Sequence, residues 1–488
     1  MPKSWLFVLI AFGVLRLIFW LTAFPNPDEA YYWLWGQHPD WSYYDHPPFN
    51  AWVQGAFTAI FGRSAFSLRL PNLISSSAIG YAYYRIVRYL YRDYVQQYFW
   101  LTILLVLASP LYFLFLGLAW HDHLLIIFSL ISAYLFITFL DGYVLDRKGE
   151  SWRLYLSAFT IALAGLCKYN AVFVPLGFLA AVIADRRLKS LLRDRRLYLA
   201  LAIAASALIP ILFWNLSNDF QSFHYYVNRS IYPVNAGIKL GSCLAFIGVS
   251  FFVVSPFYWR SFYRSFKQPS HLIRTDSVYP IVAFWVFTVS TVILTVISLI
   301  SAALYYWNIT AYFLLFPLLP AYFVRTPNFE SKSFSGFQIY GLLFATLLVI
   351  HYCFLPLSAL VSKDADPDSR MLFGWNEVAV VVRQQASELQ TSPLLITTDY
   401  RSASALAYQL NNKNVIAVSD RIDQFDFWYP NDLPFRGKNA VIVSDDWFPA
   451  PSKLLAKFDR VSQPTTVSIS RFGVWIKNYY VQKGYGFK

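Results

Sequence analysis

The chain has 488 residues, of which 57% are hydrophobic and only 14% charged, with a mean hydropathy of +0.42. A soluble domain carries roughly 25% charged residues, so this chain lacks the polar surface to cover a water-soluble globule, and an integral membrane protein is expected. The net charge of +13 does not imply a nucleic-acid partner: residues 360–488 hold 15 basic against 13 acidic side chains, so the excess lies in loops of the preceding part.

A hydrocarbon core about 30 Å thick takes about 20 apolar residues per helix. That ruler marks about eleven spans, near 5–24, 68–90, 97–117, 123–140, 153–166, 170–184, 197–214, 238–259, 279–301, 308–324 and 336–357, the fifth and sixth being short. The first follows only Pro2 and Lys3 without a small-residue cleavage site, so it reads as an anchor and not a removed signal peptide. Cys167, Cys243 and Cys353 fall in apolar stretches and form no disulfide or metal framework.

Alternate loops are basic: Arg85, Arg88 and Arg92; Arg147 and Lys148; Arg186 to Arg196; Arg260 to Arg274; Arg325 and Lys332. Basic loops stay cytoplasmic. The expected protein is therefore a multi-pass plasma (inner) membrane protein with a cytoplasmic N-terminus. Residues 1–358 form its membrane domain, with a long first outer loop at 25–67. Residues 359–488 form a soluble extracytoplasmic α/β domain, with strands near Leu394–Thr398, Val415–Ser419 and Ala440–Ser444, helices at Ala403–Leu410 and Lys453–Phe458, and a closing hairpin within Val467–Val481.

The chemistry-bearing residues gather in the outer loops. The first holds Asp28-Glu29-Ala30-Tyr31-Tyr32-Trp33 and Tyr43-Tyr44-Asp45-His46-Pro47-Pro48. Adjacent carboxylates directly after a span sit where burial and a neighbouring charge raise pKa, which suits a general base. Acids equally suit the first turn of the next helix, and for Asp28 and Glu29 both readings stay open. The second loop is Trp120-His121-Asp122-His123. Ionisable groups at a span edge are costly and usually functional. His121 and Asp122, with Asp28, Glu29 and Asp45, are candidate ligands for a divalent metal cofactor; an Asp N-cap flanked by interfacial histidines is the alternative.

The third loop carries Lys168 beside Tyr169, against the positive-inside trend. An ammonium there suits a phosphate, with snorkelling as the alternative. Arg69, at the outer end of the second span, invites the same argument. The loop 215–237, with Trp214-Asn215 before it and His224 and Asn228-Arg229 within it, is amphipathic and reads as a lid on the membrane. Asp364, Asp366 and Asp368 imitate a calcium loop, but Ser369 and Trp375 stand where it needs Gly and Glu, so this is a solvated linker.

Asp28-Glu29-Ala30-Tyr31-Tyr32-Trp33, Asp45-His46-Pro47-Pro48, Arg69-Leu70-Pro71, Asp122 after the third span and Leu166-Cys167-Lys168-Tyr169 together resemble the GT-C superfamily glycosyltransferases, of the aminoarabinose-transferase and protein O-mannosyltransferase (family 39/83-like) type. The resemblance implies a polytopic α-helical GT-C fold of about eleven transmembrane helices. It also implies transfer of a sugar from a polyprenyl-phosphate donor to an acceptor hydroxyl of a lipid, glycan or protein on the outer face, with inversion. By the same resemblance Asp28 is the catalytic base and Glu29 its acidic neighbour. Lys168 and Arg69 hold the donor phosphate, with Tyr44, Asp45, His46 and Tyr169 as further donor- or substrate-binding residues. Asp122 matches an acid that orients donor or metal. Many aminoarabinose transferases have Lys-Pro-Pro where this chain has His46-Pro47-Pro48; His is a poorer permanent cation, so the donor sugar stays open. The rival reading, a polytopic lipid or glycolipid flippase, expects charged pairs near mid-span.

Overall fold

The computed structural model describes residues 2–146, 148–230, 237–268, 270–301, 303–323, 335–389, 392–430 and 433–488. Arg147, Arg325 and Lys332 of the expected inner loops, and positions 231–236, 302 and 324 of expected loops and spans, lie outside the described residues. The chain divides into two compact units. The first comprises Met1–Arg16, Trp41–Asn50 and Leu70–Ala345, the second Leu17–Asp40, Ala51–Arg69 and Thr346–Lys488. Parts of the expected first outer loop thus group with the C-terminal region.

Helices dominate the first unit. Asp122–Asp146 is apolar on every side and buried nearly throughout, as expected of a helix with no polar face. Its last turns are tied to the start of Tyr279–Ile300: Asp141 accepts from Val278 N and Ser277 Oγ, both at 2.7 Å. Among the described residues four helices are long and apolar enough to cross a membrane: Lys3–Thr22, Asp122–Asp146, Tyr279–Ile300 and Gly336–Cys353. Counting the bent pairs Arg195–Ala205 with Leu208–Ser217 and Leu240–Val254 with Trp259–Lys267 as single spans gives six, against about eleven expected.

The shortfall has local causes. Ala65–Leu90 is long enough, but Arg69, Asn72, Ser75, Ser76, Ser77, Arg85 and Arg88 make it polar. The 97–117 stretch breaks between Val95–Leu107 and Pro110–Phe115. Ser151–Cys167 and Phe173–Ala184 are short and joined by a 3-10 turn. The 308–324 stretch is not one helix but the short turns Ile309–Tyr312, Phe316–Leu318 and Pro320–Phe323, interrupted by Pro317 and Pro320. Irregular backbone at membrane depth requires other partners for its carbonyls. Four tyrosine hydroxyls supply them: Tyr112 donates to Ile309 O at 2.6 Å, Tyr83 to Phe313 O at 3.1 Å, Tyr279 to Leu314 O at 2.9 Å and Tyr91 to Pro317 O at 2.8 Å. Part of the chain's aromatic excess is therefore hydrogen-bonded core.

The second unit contains a six-stranded sheet. Its strands are β1 (Leu394–Thr397), β2 (Val415–Ala417), β3 (Ala440–Asp445), β4 (Phe458–Val461), β5 (Thr465–Arg471) and β6 (Val474–Phe487), in the order β2-β1-β3-β6-β4 with β5 on β6. β2, β1 and β3 are parallel, with Tyr400–Leu410 crossing from β1 to β2; β6 is antiparallel to β3, β4 and β5. The first-loop helix Pro27–Gln37 packs on Tyr400–Leu410. Tyr31 accepts from Gln424 N at 2.9 Å and lies over the Phe425 ring, while Trp33 meets Tyr408 edge-on at 5.2 Å. Tyr31 and Trp33 are thus buried packing residues, which accounts for the aromatic run after Glu29.

Candidate active site

In the second unit, Asn26 and Glu29 form a capping box: Glu29 N donates to Asn26 Oδ1 and Asn26 N to Glu29 Oε2, both at 2.9 Å. The Glu29 carboxylate also receives Arg69 Nε at 2.9 Å and Nη2 at 2.7 Å, with both side chains no more than 1% exposed. The rest of the guanidinium faces the carbonyls that end the Lys3–Thr22 helix and follow it: Nη1 donates to Phe19, Trp20 and Ala23, and Nη2 to Phe24. A guanidinium has five N–H donors in a fixed fork, and here all five have protein acceptors. Arg69, expected at the donor phosphate, is here committed to protein acceptors and fastens the end of one helix to the start of the next. Glu29 is its counter-ion and the cap, and Asp28 lies beside it in the first turn, partly exposed.

In the first unit, Asp122 starts its helix fully buried, and Lys168 Nζ reaches both its oxygens, at 2.8 and 3.0 Å. Lys168 is itself the extended residue between Cys167 and the 3-10 turn Tyr169–Val172, with its ammonium 4.9 Å from the centre of the Tyr306 ring. The His46 and His121 rings lie 4.4 Å apart. Tyr226, from the helix Gln221–Ser230, donates to Asp45 O and contacts His46 Nδ1 at 3.2 Å; Tyr169 packs against its ring at 4.9 Å, and Tyr44 packs on Tyr225. Arg229, one turn on, lies over Trp307.

Tyr44, Asp45, His46, His121, Asp122, Lys168 and Tyr169 thus share one unit, joined by the Tyr226, Arg229 and Tyr306 side chains. Those three carried no site role in the sequence. The amphipathic pattern of 215–237 and the aromatic run Tyr305-Tyr306-Trp307 in an outer loop were the available signals.

Burial, then the charges of Lys168 and Arg229, pushes the His46 pKa well below its ordinary value. Burial, then His46, lowers His121 in the same way. Burial thus favours the neutral imidazoles, and the basic side chains that act on His46 are Lys168 and Arg229.

The expected metal ligands fit poorly. Both Asp122 oxygens accept from Lys168, and among the described residues no group of three or more His, Cys, Asp or Glu side chains is placed to hold a metal ion. A divalent cation at Asp122 and His121 would have to displace the ammonium.

Residues 45–214 match the family described as dolichyl-phosphate-mannose-protein mannosyltransferase. The chain is 26% identical over 321 residues to the lipid A galacturonosyltransferase RgtD of Rhizobium johnstonii, covering 64% of this chain and 63% of that relative's length. ArnT from Cupriavidus metallidurans bound to undecaprenyl phosphate superposes with a TM-score of 0.67 at 16% identity, over 98% of this chain and 97% of that one. The same protein in its apo state gives 0.64 at 14% identity over the same shares.

Proposed function

For a chain with the fold of the GT-C glycosyltransferases, we propose a glycosyltransferase activity: a sugar moves from a polyprenyl-phosphate donor to an acceptor hydroxyl on the outer face of the inner membrane. The observation that carries this reading is the buried Lys168–Asp122 pair under an aromatic shell, with Arg229 and two neutral histidines around it. Such a cluster suits a phosphate whose lipid tail stays in the bilayer. The flippase reading loses ground because the buried pairs Glu29–Arg69 and Asp122–Lys168 both involve helix ends and not mid-span positions.

In the proposed reaction the acceptor oxygen attacks the anomeric carbon and its proton passes to a carboxylate base, the role that the resemblance gives to Asp28. The bond from that carbon to the phosphate oxygen breaks, and its electron pair leaves with polyprenyl phosphate. Attack opposite the leaving group inverts the anomeric centre. Lys168 and Arg229 stabilise the charge that develops on the phosphate, with Asp122 aiming the ammonium. Glu29 and Arg69 hold the helix that presents Asp28. Tyr44, Tyr169 and Tyr226 exclude water that would hydrolyse the donor.

The names of the relatives support a narrower version, in which undecaprenyl phosphate is the carrier, lipid A the acceptor and a hexuronic acid the sugar. His46 in place of a lysine is consistent with a sugar other than aminoarabinose. The test is incubation of the purified protein with lipid A and undecaprenyl-phosphate-linked galacturonic acid, aminoarabinose or a neutral hexose, read by mass spectrometry. One hexuronic acid added to lipid A is the expected product. A different added sugar would revise the donor alone, and no transfer from any of them by folded protein would overturn the reading.

A further inference from the structure

A second polar site lies at the other end of the Asp122–Asp146 helix. A cavity of about 350 Å³ is lined by Arg187, Arg274, Thr275 and Ser277, with Ile281 and Leu318 on its apolar side. Ser277 is the residue that donates to Asp141. Asp141 comes nineteen residues after Asp122 in the same helix, a separation of about 28 Å at the α-helical rise. That is close to the thickness of one hydrocarbon core, a separation that fits a cavity at the headgroup level of the leaflet opposite the Lys168 site.

Its surroundings suit such a depth. Trp259–Lys267 turns 95° from the helix before it, buries Phe262 and Ser265, and exposes Arg260, Tyr263 and Lys267. A basic amphipathic helix with aromatic residues at a membrane edge lies in the interface. Of the two lining arginines, Arg187 pairs with Asp185 at 2.6 Å and Arg274 with Asp276 at 2.9 Å, carboxylates outside the lining. Arg274 uses Nε and Nη2 for Asp276, and among the described residues its Nη1 has no acceptor.

We propose that this cavity binds the phosphate headgroup of an anionic phospholipid, with Arg274 Nη1 and Arg187 meeting the phosphate and Ile281 and Leu318 facing the glycerol and first acyl carbons. Basic pockets between helix ends on the basic side of a membrane protein suit such headgroups. The apolar half of the lining and the depth favour a lipid over a soluble anion.

The full chain in detergent, titrated with phosphatidylglycerol, phosphatidylcholine or inorganic phosphate and followed by native mass spectrometry and melting temperature, tests this. Phosphatidylglycerol is expected to stay bound and raise the melting temperature, and phosphatidylcholine and phosphate are not. Arg274→Gln should weaken phosphatidylglycerol binding roughly fivefold, the worth of one basic residue near an anionic surface. Asp276→Asn, which frees the guanidinium, should tighten it. Opposite effects of the two variants separate binding from a purely structural role, in which both would lower stability. Equal binding of the two lipids, an equal effect of inorganic phosphate, or phosphatidylglycerol binding unmoved by both substitutions would overturn the proposal.

Discussion

Removing either member of the Glu29–Arg69 pair should destabilise the protein and not merely weaken donor binding. Both groups are essentially inaccessible to solvent and bonded twice to each other. Truncating one partner of a buried pair strands the other charge, which costs about 3–5 kcal/mol. Arg69→Ala also removes the donor facing the carbonyls of Phe19, Trp20, Ala23 and Phe24, and each buried acceptor left unpaired costs about 1–3 kcal/mol unless water reaches it. Glu29→Gln keeps an acceptor for the Asn26 backbone and one bond to the guanidinium. The expected order of loss is therefore Arg69→Ala, then Glu29→Ala, then Glu29→Gln. The Glu29→Ala/Arg69→Ala double variant should lose less than the sum of the singles, because neither charge is left alone. Denaturant titration in detergent measures all four, alongside the Michaelis constant for the donor. An Arg69→Ala protein as stable as wild type, with a raised donor Michaelis constant, would refute this reasoning and return Arg69 to the donor phosphate.

Asp28→Asn should lower sugar transfer by a factor of roughly 10²–10⁴, the usual worth of a general base, while leaving the melting temperature within a degree or so of wild type, because Asn26 and Glu29 supply the cap; near-normal turnover would remove Asp28 as the base. Lys168→Ala should abolish donor use and cost stability by stranding Asp122, whereas Lys168→Arg should retain part of both; a fully active Ala variant would reduce Lys168 to a structural cation. His46 has a folded pKa well below its unfolded value of about 6.5. Its neutral form is the one the fold accepts, so this contribution to stability is fully present above pH 6.5 and is lost as pH falls below it. His46→Asn should flatten the melting-temperature profile between pH 5 and 7, and an unchanged profile would place the acid sensitivity elsewhere.

Local patterns identified what local physics controls. Apolar runs marked membrane-length helices such as Asp122–Asp146 and Tyr279–Ile300, and β1, β2 and β3 lie where short apolar stretches placed them. Ionisable residues at span ends marked Asp28, Asp122 and Lys168 as candidates, because a charge there carries a cost that has to be offset by some partner or task.

Which partner answered which charge was decided only in three dimensions. Glu29 and Arg69 lie 40 residues apart in sequence, and Asp122 and Lys168 lie 46 apart. No periodicity links such positions, so Arg69 and Lys168 look alike in the sequence. One proves fully bonded to a carboxylate and helix-end carbonyls, the other paired among the described residues with Asp122 alone and set against the Tyr306 ring. The span count meets a related limit. A hydropathy ruler assumes each apolar stretch satisfies its own backbone as a helix, whereas 308–324 is broken by its prolines and takes its hydrogen bonds from Tyr83, Tyr91, Tyr112 and Tyr279, residues that only the tertiary fold brings to it.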